Sequence, residues 1–315
     1  VEASDLLRNS LLHLAKSTRV RDLVEEAPVS RSVVRRFVPG AATMDAVRAV
    51  GQLQVTQRMA TIDYLGEDTT DLGQATHTRD AYLALLSELA RHRYTDDGRA
   101  EVSVKLSALG QSLPGDGHRI ALDHARAICQ AAANAGTTVT LDMEDHTTTD
   151  STLESLRELR QDFPTVGAVL QAYLHRTEAD CADLAHEGSR VRLCKGAYKE
   201  PETVAHQGAE VDRSYVRCLK VLMAGQGYPM VASHDPRLVE IAGALAAKHG
   251  RDPKSFEYQM LYGIRPEEQQ RIADRGDQMR VYIPYGEQWY GYLMRRMAEK
   301  PGNLMFFLRG VATRG

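Results

Sequence analysis

The chain has 315 residues, 43% hydrophobic and 26% charged, the balance of a globular protein big enough for one large domain or two ordinary ones. Its net charge of −3 and pI of about 6.4 exclude the basic surface that nucleic-acid binding calls for. No apolar run approaches the roughly 20 residues of a membrane helix and no signal peptide is visible, while Cys129, Cys181, Cys194 and Cys218 lack CxxC spacing and read as reduced thiols in a cytoplasmic protein.

Residues 1–50 carry helical periodicity and no strand signal. Leu6, Leu7, Leu11, Leu12 and Leu14 make an amphipathic arm, and Pro39 with Gly40 closes the segment. A regular alternation follows. Strand-like runs fall at 59–65, 101–106, 137–143, 166–173, 190–194, 229–233, 256–261 and 279–284. Helical stretches such as "HRIALDHARAICQAAANAG" and "DPRLVEIAGALAAKHG" lie between them and end near Gly, Asp or Pro. Strands alternating with helices imply parallel pairing with right-handed crossovers. Eight units over 51–315 close into a (βα)8 barrel with an N-terminal helical arm over 1–50. An open doubly wound sheet is the rival fold, but no strand is followed by GxGxxG.

A barrel of this kind does its chemistry at the strand carboxyl ends. Glu67 follows the first strand, Lys105 ends the second, and Asp142, Glu144 and Asp145 end the third. Gln171 and Tyr173 end the fourth. The fifth runs into "RLCKGAYKEP", with Arg192, Lys195, Gly196 and Tyr198, and the sixth delivers Ser233 and His234. Gln259 and Tyr262 end the seventh, and Tyr282 lies on the eighth. Any one of these reads as an ordinary structural polar group. Together they make a rim of both charges and aromatics, suited to a polar ligand that carries its own charges. A metal is not expected, because the His and carboxylate residues of the rim are scattered singly and no HxH or HExxH spacing occurs. Gly196, directly after a strand, lets backbone approach a ligand closely.

The last helical stretch, "YGEQWYGYLMRRMAEKPGN", stacks Tyr292 over Arg296 and Arg295 over Glu299, each pair four apart. Two guanidiniums beside an aromatic suit a small carboxylate, and an outer helix with solvated arginines is the plain alternative.

"VKLSALG", "LDMEDH", "RLCKGAY", "ASHD", "YQMLYG" and "YGEQWYGYLMRRMAE" occur in that order, and over about residues 59–309 the chain resembles the proline dehydrogenase family in its monofunctional bacterial form. The resemblance implies a distorted barrel that holds FAD non-covalently and oxidises L-proline to Δ1-pyrroline-5-carboxylate. It implies that Arg295 and Arg296 bind the proline carboxylate, with Lys105, Tyr282, Tyr292 and Leu261 around the substrate and Glu67 as a gate to the first arginine. Asp142 and Arg192 are the implied catalytic pair, Arg192 lying near flavin N5. Met143, Gln171, Cys194, Lys195, Gly196, Ala197, Ser233 and His234 complete the implied cofactor contacts. Lys199 departs from a common tryptophan, which leaves the adenine end open, and Ser233 replaces a threonine but keeps the hydroxyl. The proton acceptor stays open among Asp142, Lys105 and water. The family pattern implies a quinone acceptor, contact with the inner face of a membrane, and a pyrroline-5-carboxylate dehydrogenase downstream. Tyr282 argues against hydroxyproline as the substrate, and an intact rim argues against a flavin-binding scaffold.

Overall fold

The computed structural model describes residues 34–299, with side chains through Met294. Of the helical arm expected over residues 1–50, residues 1–33 with all five leucines lie outside the described residues, as do the side chains of Arg295 and Arg296. Eight strands form a closed barrel in chain order, each parallel to its neighbours. They are β1 (Met59–Tyr64), β2 (Ala100–Val104), β3 (Val139–Leu141), β4 (Gly167–Gln171), β5 (Arg190–Cys194), β6 (Tyr228–Ala232), β7 (Glu257–Leu261) and β8 (Met279–Tyr285).

Helix α1 (Thr43–Val55) precedes the barrel. It runs unbroken across the expected boundary at 50/51 and packs against β1 and β8 through its buried face, which includes Val50 and Leu53. Each strand is followed by a helix: α2 (Leu72–Arg91), α3 (Gly117–Asn134), α4 (Thr149–Asp162), α5 (Thr177–Leu184), α6 (Ala209–Ala224), α7 (Pro236–Lys248), α8 (Pro266–Asp274) and α9 (Trp289–Glu299). Local chemistry starts several of them. The Asp71 carboxylate accepts from the Gln74 amide at 3.0 Å to cap α2, and Asp235 caps α7 ahead of Pro236.

The strands read with period two, and the alternation divides two environments. Ala60, Ile62, Val102, Val104, Leu141, Leu170, Leu193, Val281 and Ile283 face the helices and join one apolar core with Leu85, Leu86, Ile128 and Leu156. Truncating Leu85, fully buried in that core, to alanine would cost roughly 2–5 kcal/mol. The opposite faces carry Thr61, Asp63, Glu101, Ser103, Thr140, Asp142, Arg190, Arg192, Glu257, Gln259, Arg280 and Tyr282, which meet one another inside the barrel. A barrel interior is usually filled by branched apolar side chains; this one is lined with ion pairs. Buried charges are tolerable only when paired and hydrogen-bonded, and these are.

β3 is shorter than the run at 137–143 suggests. The hydroxyls of Thr137 and Thr138 turn instead to the carbonyls of Ala100 and Thr165, at 2.6 and 2.9 Å.

Candidate active site

Arg192, on β5 and 4% exposed, is the hub of the barrel's upper interior. Its Nε donates to Gln259 Oε1 at 2.6 Å, and its Nη1 donates to Asp142 Oδ1 at 2.7 Å and Ser103 Oγ at 2.9 Å. Its Nη2 reaches Thr61 Oγ1 at 3.4 Å, and the Tyr282 ring lies 5.3 Å from the guanidinium carbon. A rigid fork with this many acceptors is fixed in place.

Asp142 joins the hub to Tyr282 and Lys105. Its Oδ1 also accepts from Ser103 Oγ at 2.8 Å, and its Oδ2 accepts from the Tyr282 hydroxyl at 2.8 Å. Lys105 Nζ stands 3.8 Å from the same carboxylate and donates to Asp63 Oδ2 at 2.7 Å. Burial alone would lower the Lys105 ammonium, but Asp63, Asp142 and Glu67 outweigh it and push the pKa above the usual lysine range, so the group stays charged. Burial raises Asp63, against the pull of Lys105. Burial followed by Asp142 and Asp63 raises Tyr282 well above its ordinary value, so it acts as a phenol donor.

The structure therefore brings Lys105, Asp142, Arg192 and Tyr282 into one connected network. Glu67 sits half-buried on the loop after β1, near enough to help raise Lys105 and Glu144. Leu261 pairs in register with Tyr282 at the ends of β7 and β8. Tyr292 is buried on α9 in an apolar cluster with Leu65, Phe37 and Leu293.

A second group lines the rim over β3 to β7. Gln171 Nε2 donates to the Glu144 carbonyl at 2.7 Å, while its Oε1 accepts from the Tyr173 hydroxyl at 3.3 Å. Tyr173 also reaches Glu200, which accepts the His146 amide at 2.9 Å and the His146 ring. Met143 is buried nearby in sequence, and Cys194, its thiol pushed up to about 12 by burial, donates to the Leu170 carbonyl. Gly196 has φ +123°, and a Cβ there would sit 2.5 Å from the Tyr173 ring, so only glycine fits. Ala197 is exposed beside it. Ser233 Oγ accepts from the Asp235 amide at 3.1 Å, and His234 Nε2 accepts from the Leu261 amide at 2.9 Å. Lys195 turns aside to Asp212 at 2.6 Å and Asp235 at 3.4 Å, away from the Arg192 network.

Asp63, Ser103 and Thr61 are the residues that strand-end reasoning misses. Asp63 sits inside "MATIDYL", and its signal is the alternation that puts Thr61 and Asp63 opposite Ala60 and Ile62. Among the described residues no cluster of three or more His, Cys, Asp and Glu could hold a metal.

The closed parallel barrel, with its polar rim, is of the (βα)8 class, whose enzymes work at the strand carboxyl ends. A family model described as proline dehydrogenase matches residues 46–309. Proline dehydrogenase 1 of Bacillus subtilis strain 168 is 36% identical over 307 residues, covering 97% of this chain and 99% of the relative. Proline dehydrogenase of Deinococcus radiodurans is 37% identical over 309 residues, covering 97% and 98%. The solved structure of proline utilization A from Bdellovibrio bacteriovorus inactivated by N-propargylglycine superposes with a TM-score of 0.79 at 27% identity. That alignment takes in 91% of this chain and 34% of the larger protein, so the chain spans about a third of it. The chain belongs to the proline dehydrogenase family, a family of oxidoreductases.

Proposed function

We propose that the barrel oxidises L-proline to Δ1-pyrroline-5-carboxylate with FAD bound at the strand carboxyl ends, and that the electrons pass to a quinone. Proline dehydrogenase activity follows from family membership; the cofactor, product and acceptor are the finer reading. The observation that carries it is the buried Arg192–Asp142–Tyr282–Lys105 network, built from the residues the family resemblance assigns to the reaction.

The donor set suits a flavin. A fixed guanidinium favours a ring that gains negative charge, the Gln171 amide offers both donor and acceptor, and Gly196 lets backbone come close. Arg192 and Gln171 would hold the ring, with Met143, Cys194, Gly196, Ala197, Ser233 and His234 around it. Lys195 would join them by leaving Asp212. When bound, FAD supplies the hydride acceptor, N5.

The chain's own residues do the rest. Lys105, held as an ammonium by Asp63, offers a cation to the proline carboxylate, and Arg295 and Arg296 complete the clamp from α9. Tyr282, pinned by Asp142, packs beside the substrate ring. Asp142 accepts from Arg192, Ser103 and Tyr282, so its oxygens are committed to holding the site rather than to collecting a proton. These contacts fix the reacting carbon and keep water out, which is where a hydride transfer gains most from a protein.

The test is a spectrum. The purified, FAD-loaded protein should show a visible flavin band that bleaches anaerobically on adding L-proline and returns on adding a quinone analogue. Bound FAD that proline leaves oxidised would overturn the reading.

A further inference from the structure

Below Arg192 lies a second charged layer that the proposed reaction does not use. Glu101, 0% exposed, accepts from Arg190 Nη2 at 2.7 Å and stands 3.8 Å from Arg192 Nη2 and 3.9 Å from Arg280 Nε. Glu257, also 0% exposed, accepts from Arg280 Nε at 2.7 Å, from the Tyr228 hydroxyl at 3.0 Å and from Gln259 Nε2. Gln259 in turn accepts from Arg192 Nε. One unbroken chain of contacts therefore runs from the barrel floor to Arg192.

The charges do not cancel on the floor alone. Arg190, Arg192 and Arg280 face Glu101 and Glu257, leaving a surplus of one positive charge that Asp142 meets from above. Arg190 Nη1 is buried without a hydrogen-bond partner. Inside a protein a charge a few ångströms away is screened far less than in water. The field above Arg192 is then the sum over this layer, and Glu101 offsets it directly, standing within 3.9 Å of all three guanidiniums.

We propose that Glu101 and Arg190 are tuning residues that set, through Arg192, how strongly the rim favours a reduced flavin. Neither touches substrate or cofactor. The proposal rests on the flavin reading above. Burial alone would raise the Glu101 carboxyl, but Arg190, Arg280 and Arg192 hold it at about 2, so its charge is present at neutral pH.

The experiment uses FAD-loaded protein and spectroelectrochemistry. Glu101→Gln removes a negative charge at nearly constant shape, and Arg190→Met removes a positive one. The flavin midpoint potential should rise in the first, fall in the second and return near wild type in the double variant. The reduced-to-oxidised ratio at a fixed ratio of proline to product should move about threefold to tenfold in those opposite directions. A merely structural role would lower thermal stability in both single variants without opposite shifts in potential, and that result overturns the proposal. Should Glu101→Gln fail to accumulate, Arg190→Met alone decides: an unchanged potential sinks the idea. A wild-type flavin that proline does not bleach would refute the functional reading instead, leaving the potentials to judge this one.

Discussion

At the scale of single residues, Tyr282 carries the sharpest prediction. Its hydroxyl is tied to Asp142 at 2.8 Å and its ring lies over Arg192, so the phenol has little freedom to move aside. An apolar contact rejects an added hydroxyl only weakly unless a rigid wall stands there. Tyr282→Ser should shift the kcat/KM ratio toward trans-4-hydroxy-L-proline by about tenfold, on the order of 1.4 kcal/mol. Steady-state rates on both substrates with one quinone acceptor check it. Asp63 carries the second prediction. Its carboxylate aims Lys105, so Asp63→Asn should raise the KM for proline at least threefold, about 0.7 kcal/mol of lost positioning, with the flavin spectrum unchanged. A KM within experimental error of wild type would rule Asp63 out as the anchor. Lys105 and Asp142 are legible in the sequence because each directly follows its strand, and Arg192 and Tyr282, inside β5 and β8, because alternation turns them inward. Asp63 and Glu101 are not. Glu101 lies near the amino end of β2, and Asp63, though next to last in β1, sits between Ile62 and Tyr64; a polar residue in such a place reads as noise until its partners, dozens of residues away, are known.

At the scale of elements, β5 and the turn after it do the most. The strand sends Arg192 inward, and the turn at Gly196 passes within contact distance of Tyr173. Gly196→Ala would meet both a left-handed φ and a ring 2.5 Å from the new methyl group. Strain of that kind costs roughly 1–3 kcal/mol. FAD affinity should fall about tenfold or more and the Tm by several degrees, measured by flavin titration and thermal melts; unaltered affinity would show that the turn does not bear on the cofactor. The β5 run was readable to the residue, because "RVRLC" alternates cleanly between a glutamate-rich interior and an apolar sheath. β3 was not, since the threonines before it look like strand residues and spend their hydroxyls on neighbouring carbonyls. On α9 the spacing of Arg295 and Arg296 is as readable as its helical backbone. Arg295→Met or Arg296→Met should weaken proline binding by roughly 2–4 kcal/mol, read as a higher KM.

At the scale of the whole molecule, the polar interior makes stability depend on pH in a defined direction. Glu101 has its carboxyl lowered from 4.5 to about 2. Its contribution is complete above the unfolded value and is lost as pH falls from about 4.5 through about 2. Asp63 and Glu144, raised by burial, have the opposite sign: they favour the fold at low pH and lose that effect as pH rises through their folded values. The Tm should therefore fall along an acid limb below about pH 4.5, and Glu101→Gln should lower the Tm at neutral pH while flattening that limb. Melts across the acid range decide it, and parallel limbs in the two proteins would exclude Glu101 as the cause. The barrel class itself follows from eight alternating strand and helix runs, but its charged filling does not, because one strand shows only its own half of each ion pair.

The seam between β1 and β8 has a consequence for biosynthesis. Met59 meets Arg280 across it, and Arg280 reaches back to the Ala60 carbonyl over a separation of 220 residues. Tyr282 is on that same closing strand. A ribosome must therefore deliver β8 before the barrel can shut and before Asp142 gains its phenol. Until then β1 and β7 are open edges, and Glu257 lacks its guanidinium partner. The half-made chain exposes both hazards together, so this protein should depend on a chaperone, or on slow dilution in refolding, during the interval before its last strand docks.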